Sequence, residues 1–513
     1  MSRAPRVAVA TTSELAADAA AEVAAAGGNA VDCAIAASMV AMNTQPGICS
    51  LAGGAFVSVW PTGHEPVTID GGATIPGRDM DATYSPNDGE LVHMGYGGGM
   101  ETVGGSGSVA VPGALAACCE AVDRFGRCSL DTVMAPSVTA CAEGFPLPSA
   151  CHHYLEFSGE PLYARSDDGK RALFDADGEL RKTGERIVVP HLADSLAEIG
   201  AEGPRAFYEG RLARAMVEHV RDGGGRLTTA DLRDYRTEWR PALQVAFGDW
   251  TVAVNPPPAI GGAILGALLV MARDFVDGRA PANGPLMAHI VAAQAAALGY
   301  RKQHLDLSPD LTAEAGRLLE LARNRALLRN NYSGSTVHTS AVDDSGLACA
   351  VTCSAGYGSG EMPAGTGLWL NNCLGELELN KRGIDVGPPG DRLPSNMAPG
   401  VARSGDSVLA FGSPGADRIT TSLQQFLVHH LLAGADLDRA NQTARVHVET
   451  AAEELSVSIE GDIPELQVSM PVNRFPPCSM YFGGVGVARF DGPDLLAASA
   501  DPRRVGGVFV SPG

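Results

Sequence analysis

The spacing of apolar and polar positions predicts a helix-rich front of about 330 residues joined to a strand-rich back. Val7–Thr11 is a short β-type run, and Thr12 or Ser13 stands where a hydroxyl can cap an Ala-rich helix that stops at Gly27–Gly28. A second apolar helix is expected from about Ala30 to Val40. The Gly/Ser-rich stretch Gly95–Gly107 reads as a loop, and helical spacing returns over Gly113–Gly144 and His191–Gly223. Leu227-Thr-Thr-Ala-Asp231 is a capped helix start. Asn255-Pro-Pro-Pro-Ala-Ile-Gly-Gly262 cannot be interior helix, because proline lacks the N–H donor and fixes φ. It is a rigid loop opening a long apolar helix over Ala263–Asp274, and helices continue to about Leu328.

The pattern changes at Asn330. Arg329–Thr336 is polar and turn-rich, as at a surface or a cleft. Ser340–Ser354 then alternates as strands do, with Val342, Leu347, Cys349, Val351 and Cys353 apolar, and Val408–Gly412 is a further strand.

Composition narrows the function classes. With 513 residues, 45% of them hydrophobic, the chain can bury a large core. At roughly 150 residues per domain it holds about three domains or one layered body with insertions. The 62 glycines fall in short clusters rather than one linker, which favours one body with many tight turns. A formal charge of −21 repels phosphate backbones and anionic lipid, so neither nucleic acid nor a membrane is expected as partner. No apolar run reaches the eighteen or so residues of a membrane helix. Glu14 and Asp18 interrupt the N-terminal alanines, so no secretory signal is expected and the compartment is read as cytoplasmic. Eleven cysteines without a C-x-x-C pair read as buried free thiols. The chain lacks the P-loop, the H-E-x-x-H, G-x-S-x-G and S-x-x-K motifs and the EF-hand loop. Neighbours on a helix point about 100° apart, so His152–His153 and His429–His430 are poor metal pairs. No metal and no cofactor is expected.

The informative stretch is Gly334-Ser-Thr-Val-His-Thr-Ser-Ala-Val-Asp-Asp-Ser-Gly346. A threonine opening a strand after a flexible turn is where a self-cleaving protein places an N-terminal nucleophile; an ordinary strand threonine is the other reading. Once the bond between Ser335 and Thr336 is cut, one residue carries both a hydroxyl and an α-amine. That amine titrates at about 7.7–8.0 and can act as base for its own Oγ.

From about Val7 to His447 the chain resembles the γ-glutamyltransferase family of N-terminal-nucleophile (Ntn) hydrolases. The resemblance is carried by Gly27-Gly-Asn-Ala-Val-Asp32, Leu51-Ala-Gly-Gly-Ala-Phe56, Val111-Pro-Gly113, Gly144-Phe-Pro146, Phe207-Tyr-Glu-Gly210 and Pro257-Pro-Ala-Ile-Gly-Gly262. Thr336-Val-His-Thr-Ser-Ala-Val-Asp343, Leu370-Asn-Asn372, Ser395-Asn-Met-Ala-Pro399 and Gly412-Ser-Pro-Gly415 extend it. The resemblance implies an α/β, four-layer αββα sandwich made as one precursor and split into a large subunit, 1–335, and a small one, 336–513. It assigns Thr336 as nucleophile and Ser354 as a second hydroxyl touching it. Gly415 and Ala416 become the backbone donors of an oxyanion hole. Ser395 and Asn396 hold the substrate carboxylate, and Glu376 holds the substrate amine.

Departures from the family pattern concentrate on the glutamyl-reading residues. In Asp70-Gly-Gly-Ala-Thr-Ile-Pro76, Gly72 stands where the family's carboxylate-gripping arginine should be, and nearby Arg78 is the candidate replacement. Cys373 occupies the place of an amine-binding Gln or Glu. The loop between Glu376 and Ser395 is shorter than the usual lid. The expected function is therefore acyl transfer or hydrolysis on a small polar metabolite other than a plain γ-glutamyl compound. Relatives include enzymes that cleave other amides, and natural-product enzymes that cleave a C–C bond beside an oxalyl-type carbonyl; antibiotic biosynthesis is one such setting. The alternatives are a genuine glutathione hydrolase and an uncleaved binding protein, which retention of Thr336 and Ser354 opposes. The expected partners are a small-molecule substrate and the two subunits of one precursor, with a homo-oligomer of such heterodimers left open.

Overall fold

Two fully antiparallel sheets stack at the centre of the molecule and are faced by helices on both outer sides. The computed structural model describes residues 4–95, 99–273, 285–324, 336–383, 387–449, 455–463, 466, 468–492 and 495–512. The first sheet runs, in spatial order, Gly507–Val510, Val7–Thr11, Val337–Asp343, Ala348–Ser354, Gly54–Trp60, Val67–Gly71 and Glu238–Pro241. The second runs Leu496–Ala500, Gly486–Asp491, Ser407–Gly412, Gly400–Ser404, Trp250–Val254 and Leu243–Phe247.

The strand period of two sorts side chains between layers. Val7 and Val9 pack against the helices Glu14–Ala25 and Ala30–Thr44, while Ala8 between them faces the other sheet. Cys349, Val351 and Cys353 likewise face the helices, and Ala348 and Ala350 face inward. The inter-sheet layer is largely alanine, with Ala253, Ala410 and Ala488 supplied by the second sheet. Helices Ile260–Arg273, Leu311–Arg323 and Arg418–Leu427 cover that sheet's outer face. This is the four-layer αββα arrangement, and its central strands, such as Val337–Asp343 and Ala348–Ser354, are buried on both faces.

Both sheets mix strands from either side of residue 336. Val7–Thr11 lies between Gly507–Val510 and Val337–Asp343. The front and back of the chain are therefore interlaced, and a break before Thr336 would leave the two segments hydrogen-bonded along several strands.

Local signals account for most element boundaries. Ser13 caps the first helix by accepting from the Ala16 N–H, and Asn29 with Asp32 forms a capping box on the second. That helix runs to Thr44 rather than Val40, because Asn43 and Thr44 bond back to the carbonyls of Met39 and Val40. The apolar helix after the proline run starts at Ile260, three residues earlier than expected, with the Ile260 and Gly261 N–H groups bonded to the Ser395 carbonyl. The Gly95–Gly107 reading is corrected in part: Met100–Gly104 is a strand paired with Glu90–Met94. All eleven cysteines are free thiols. Among the described residues no helix is long and apolar enough to cross a membrane.

Candidate active site

Thr336 stands one residue before the strand Val337–Asp343, whose register pairs Val337 with Cys353. One further step in that register sets Thr336 opposite Ser354. Ser354 pairs with Gly54 on its other side, and one step beyond the pair Ala55–Gly71 sets Gly54 opposite Gly72. Residues opposite one another across a sheet project to the same face. Thr336, Ser354, Gly54 and Gly72 thus form a single row of two hydroxyls followed by two missing side chains. The glycine at 54 is also sterically required, since a Cβ there would lie 2.9 Å from the Ala73 amide nitrogen.

The row borders a narrow cleft that Cys373, Glu376, Ser395, Asn396 and Ala416 also line. Eight of the residues singled out from the sequence therefore share one cavity. Gly415 is the neighbour of Ala416 in the adjoining turn. It packs on Gly483, whose Cα would be 2.6 Å from any Cβ at position 415. Ser335 lies outside the described residues.

The turn that follows the strand Ser407–Gly412 departs from ordinary backbone. Gly415 has φ 121° and Ala416 has φ 68°, a left-handed conformation uncommon for a residue with a Cβ. Ser413 braces the turn from behind, its Oγ accepting from the Gly484 N–H at 3.0 Å. Gly412 is explained by packing: a Cβ there would sit 2.2 Å from the His338 ring. His338 lies two residues along the strand from Thr336, on the same face. Its ring is bonded to Thr352 Oγ1 at 2.8 Å and Ser340 Oγ at 2.7 Å, and burial lowers its pKa to about 3. It is neutral at physiological pH.

Glu376 brings a carboxyl group to the cleft lining. Glu376 and Glu378 are both buried, and the Tyr357 hydroxyl donates to Glu378 Oε1 at 2.5 Å. Burial, reinforced by Glu378, holds Glu376 well above the usual carboxylate range; burial raises Glu378 to about 7. Burial also pushes the Cys373 thiol far up, so it is not a thiolate nucleophile. Asn396 donates through Nδ2 to Asp417 Oδ1 at 2.9 Å, and Asp417 also accepts from Arg301 at 2.6 Å. Arg301, 2% exposed, is bonded in addition to Asp306 at 2.9 Å.

Arg78 is not brought to the cleft, which corrects the expectation that it replaces the missing arginine. Its loop is held by Asp231, which caps a helix through Thr228 and accepts from the Gly77 and Arg78 N–H groups. The Arg78 guanidinium instead covers Gly390, where a Cβ would meet Nη2 at 1.9 Å. The arginine beside Gly72 is Arg392, which the sequence reading missed. It donates to the carbonyls of Gly72 (3.1 Å), Asp70 (3.1 Å) and Arg236 (2.7 Å), and its Nε lies 3.3 Å from Asp70 Oδ1. Tyr235 lies under its guanidinium and donates to the same Gly72 carbonyl at 2.8 Å. No arginine or lysine side chain lines the cleft among the described residues.

Comparison with known proteins agrees with this arrangement. The profile of the family described as gamma-glutamyltranspeptidase matches residues 16–511. The acylase ACY 1 proenzyme of Pseudomonas sp. (strain V22) is 27% identical over 96% of this chain and 91% of its own length. The glutathione hydrolase proenzyme of Bacillus subtilis (strain 168) is 26% identical over 89% of this chain and 82% of its own. The crystal structure of cephalosporin acylase from Bacillus halodurans superposes with a TM-score of 0.77 at 22% identity, covering 99% of this chain and 96% of that one. At that identity the superposition speaks for the fold alone.

Proposed function

The chain belongs to the gamma-glutamyltranspeptidase family of Ntn hydrolases and acyltransferases, and from that premise we propose that it is a specialised member whose acyl donor is not a plain γ-glutamyl compound. The precursor cuts itself between Ser335 and Thr336 into 1–335 and 336–513. Thr336 Oγ then attacks the substrate carbonyl while the Thr336 α-amine takes the proton. The developing oxyanion is held by the N–H groups of Gly415 and Ala416, and Ser354 fixes the nucleophile's hydroxyl. Water or an amine releases the acyl group from the ester. The substrate is a small polar metabolite of a natural-product pathway, cleaved at an amide or an activated C–C bond, and the enzyme works in the cytoplasm.

The observation that carries the specificity is that no arginine or lysine lines the cleft among the described residues, with Gly72 in the nucleophile's own row. A charge-assisted contact to a carboxylate contributes about 1.5–3 kcal/mol, which a glycine cannot supply. Glu376 in the cleft and the glutathione hydrolase relatives favour the second reading, a true glutathione hydrolase. Matured enzyme assayed on γ-glutamyl-p-nitroanilide separates the two. The specialised reading expects kcat/KM below about 10⁴ M⁻¹s⁻¹, with an increase for Gly72→Arg. A wild-type value at or above that level establishes the second reading instead.

A further inference from the structure

Resting on the reading above, we propose that the acyl group accepted by this cleft carries a basic amine and no carboxylate: a cationic aminoacyl group in place of the zwitterionic glutamyl group.

The polar side chains lining the cleft are few. They are the hydroxyls of Thr336, Ser354 and Ser395, the thiol of Cys373, the carboxyl of Glu376 and the amide of Asn396. The amide of Asn396 has a fixed orientation, because its Nδ2 is held by the acceptor-only carboxylate of Asp417. That leaves Oδ1 as an acceptor, and the second Nδ2–H as a donor, for a ligand.

Arg392 and Arg301 are engaged elsewhere, although Arg301 Nη2 has no hydrogen-bond partner. Arg392 serves three backbone carbonyls and the Asp70 carboxylate, and Arg301 is clamped between Asp306 and Asp417. Turning either toward a ligand would break several charge-assisted bonds in a buried setting. A ligand carboxylate would meet Glu376 and, among the described residues lining the cleft, no arginine or lysine side chain. A ligand ammonium would meet the Glu376 carboxyl and the Asn396 oxygen. Neither glutamate has an arginine or lysine within ion-pairing distance among the described residues; exposed Lys381 acts on Glu378 only from further away. A buried carboxyl pair without a cation is what an incoming ammonium completes.

Four p-nitroanilides isolate the charges on one chain length. γ-Glutamyl carries ammonium and carboxylate, 4-aminobutyryl the ammonium alone, glutaryl the carboxylate alone, and butyryl neither. For the matured enzyme the expected kcat/KM for 4-aminobutyryl exceeds butyryl at least tenfold, and glutaryl falls below butyryl. Glu376→Gln should bring the ratio of 4-aminobutyryl to butyryl toward one. A preference for glutaryl, or equal turnover of 4-aminobutyryl and butyryl, overturns the proposal while leaving the specialised reading standing, provided γ-glutamyl remains poor. A good γ-glutamyl substrate overturns both. If none of the four is turned over, calorimetry with 4-aminobutyramide and glutaramate on matured protein decides. Tighter 4-aminobutyramide supports the proposal; tighter glutaramate, or no binding of either at about tenfold the millimolar range typical of weak substrates, overturns it.

Discussion

Ala416→Gly should be nearly neutral for stability, although the same substitution at most buried sites is costly. Ala416 is 1% exposed and sits at φ 68°. Three effects compete. Removing the Cβ relieves left-handed strain of about 1–2 kcal/mol. Glycine frees the unfolded chain, which costs about 0.5–1 kcal/mol, and loss of a buried methyl costs about 0.8 kcal/mol. The total lies near zero. Ala410→Gly is the control, because Ala410 is fully buried in the strand Ser407–Gly412 and has no strain to release. It carries only the two costs, about 1.5 kcal/mol together. Urea unfolding of both variants, with unchanged slopes, should therefore separate them by about 1–2 kcal/mol in favour of Ala416→Gly. Equal destabilisation would show that the turn beside the nucleophile holds no strain, and that the backbone N–H of residue 416 is not constrained as argued.

Purified protein should show two fragments on denaturing gels, with the smaller beginning Thr-Val-His-Thr-Ser; Thr336→Ala should give one intact, inactive chain. An intact wild type that turns over substrate would refute the mechanism. Glu378 is raised to about 7 by burial, so the native state keeps a proton that the unfolded chain releases at about pH 4.5. Its contribution to stability is therefore lost as pH rises from about 4.5 to about 7. Glu378→Gln should flatten that part of the profile in urea midpoints, and an unchanged slope would contradict the burial argument. Unreduced protein should have the mass of eleven free thiols, and a stable Cys349–Cys353 crosslink in the mass spectrum would contradict the strand geometry, which spaces same-face residues four apart by about 13 Å.

Much of the site was legible in sequence because the family resemblance assigns its residues one by one, Thr336, Ser354, Glu376, Ser395, Asn396 and Ala416 among them. Thr336 opening a strand was readable from its own neighbourhood, whereas its row with Ser354, Gly54 and Gly72 follows only once the register is known. The supporting contacts were illegible because they are long-range and carry no motif. Arg392 meets Gly72 across 320 residues, and Arg301 meets Asp417 across 116. Nothing local distinguishes either from a surface arginine. Nearness in the chain pointed to Arg78, but the capping carboxylate of Asp231 draws that loop elsewhere. The helix-rich and strand-rich halves were real as composition, yet the antiparallel sheets take strands from both, since strand pairing does not respect order in the chain.

Whether Gly72→Arg can restore a carboxylate grip depends on Asp70. A Cβ at position 72 would lie 3.0 Å from Asp70 Oδ1 and 3.7 Å from the Arg392 Cδ, so it fits after a small adjustment. An added guanidinium would turn back onto Asp70 if that carboxylate were unpaired. It is not: Oδ2 accepts from Arg240 at 2.7 Å, and Oδ1 accepts from the Gly72 N–H at 2.8 Å with Arg392 beside it. Two arginines already neutralise Asp70, so a third is repelled from it and directed toward the cleft, whose lining carries the Glu376 carboxyl. There it can hold a ligand carboxylate or neutralise Glu376. The first outcome raises kcat/KM on γ-glutamyl-p-nitroanilide about 10- to 100-fold, the equivalent of one regained charge-assisted contact. The second would lower turnover of 4-aminobutyryl-p-nitroanilide without helping the γ-glutamyl compound. Asp70→Asn with Gly72 in place discriminates further: Arg240 keeps Glu238 at 2.7 Å, whereas Arg392 loses its 3.3 Å partner and keeps Glu238 only at 3.9 Å, so if Asp70 is what holds Arg392 out of the cleft, γ-glutamyl activity should rise in this variant.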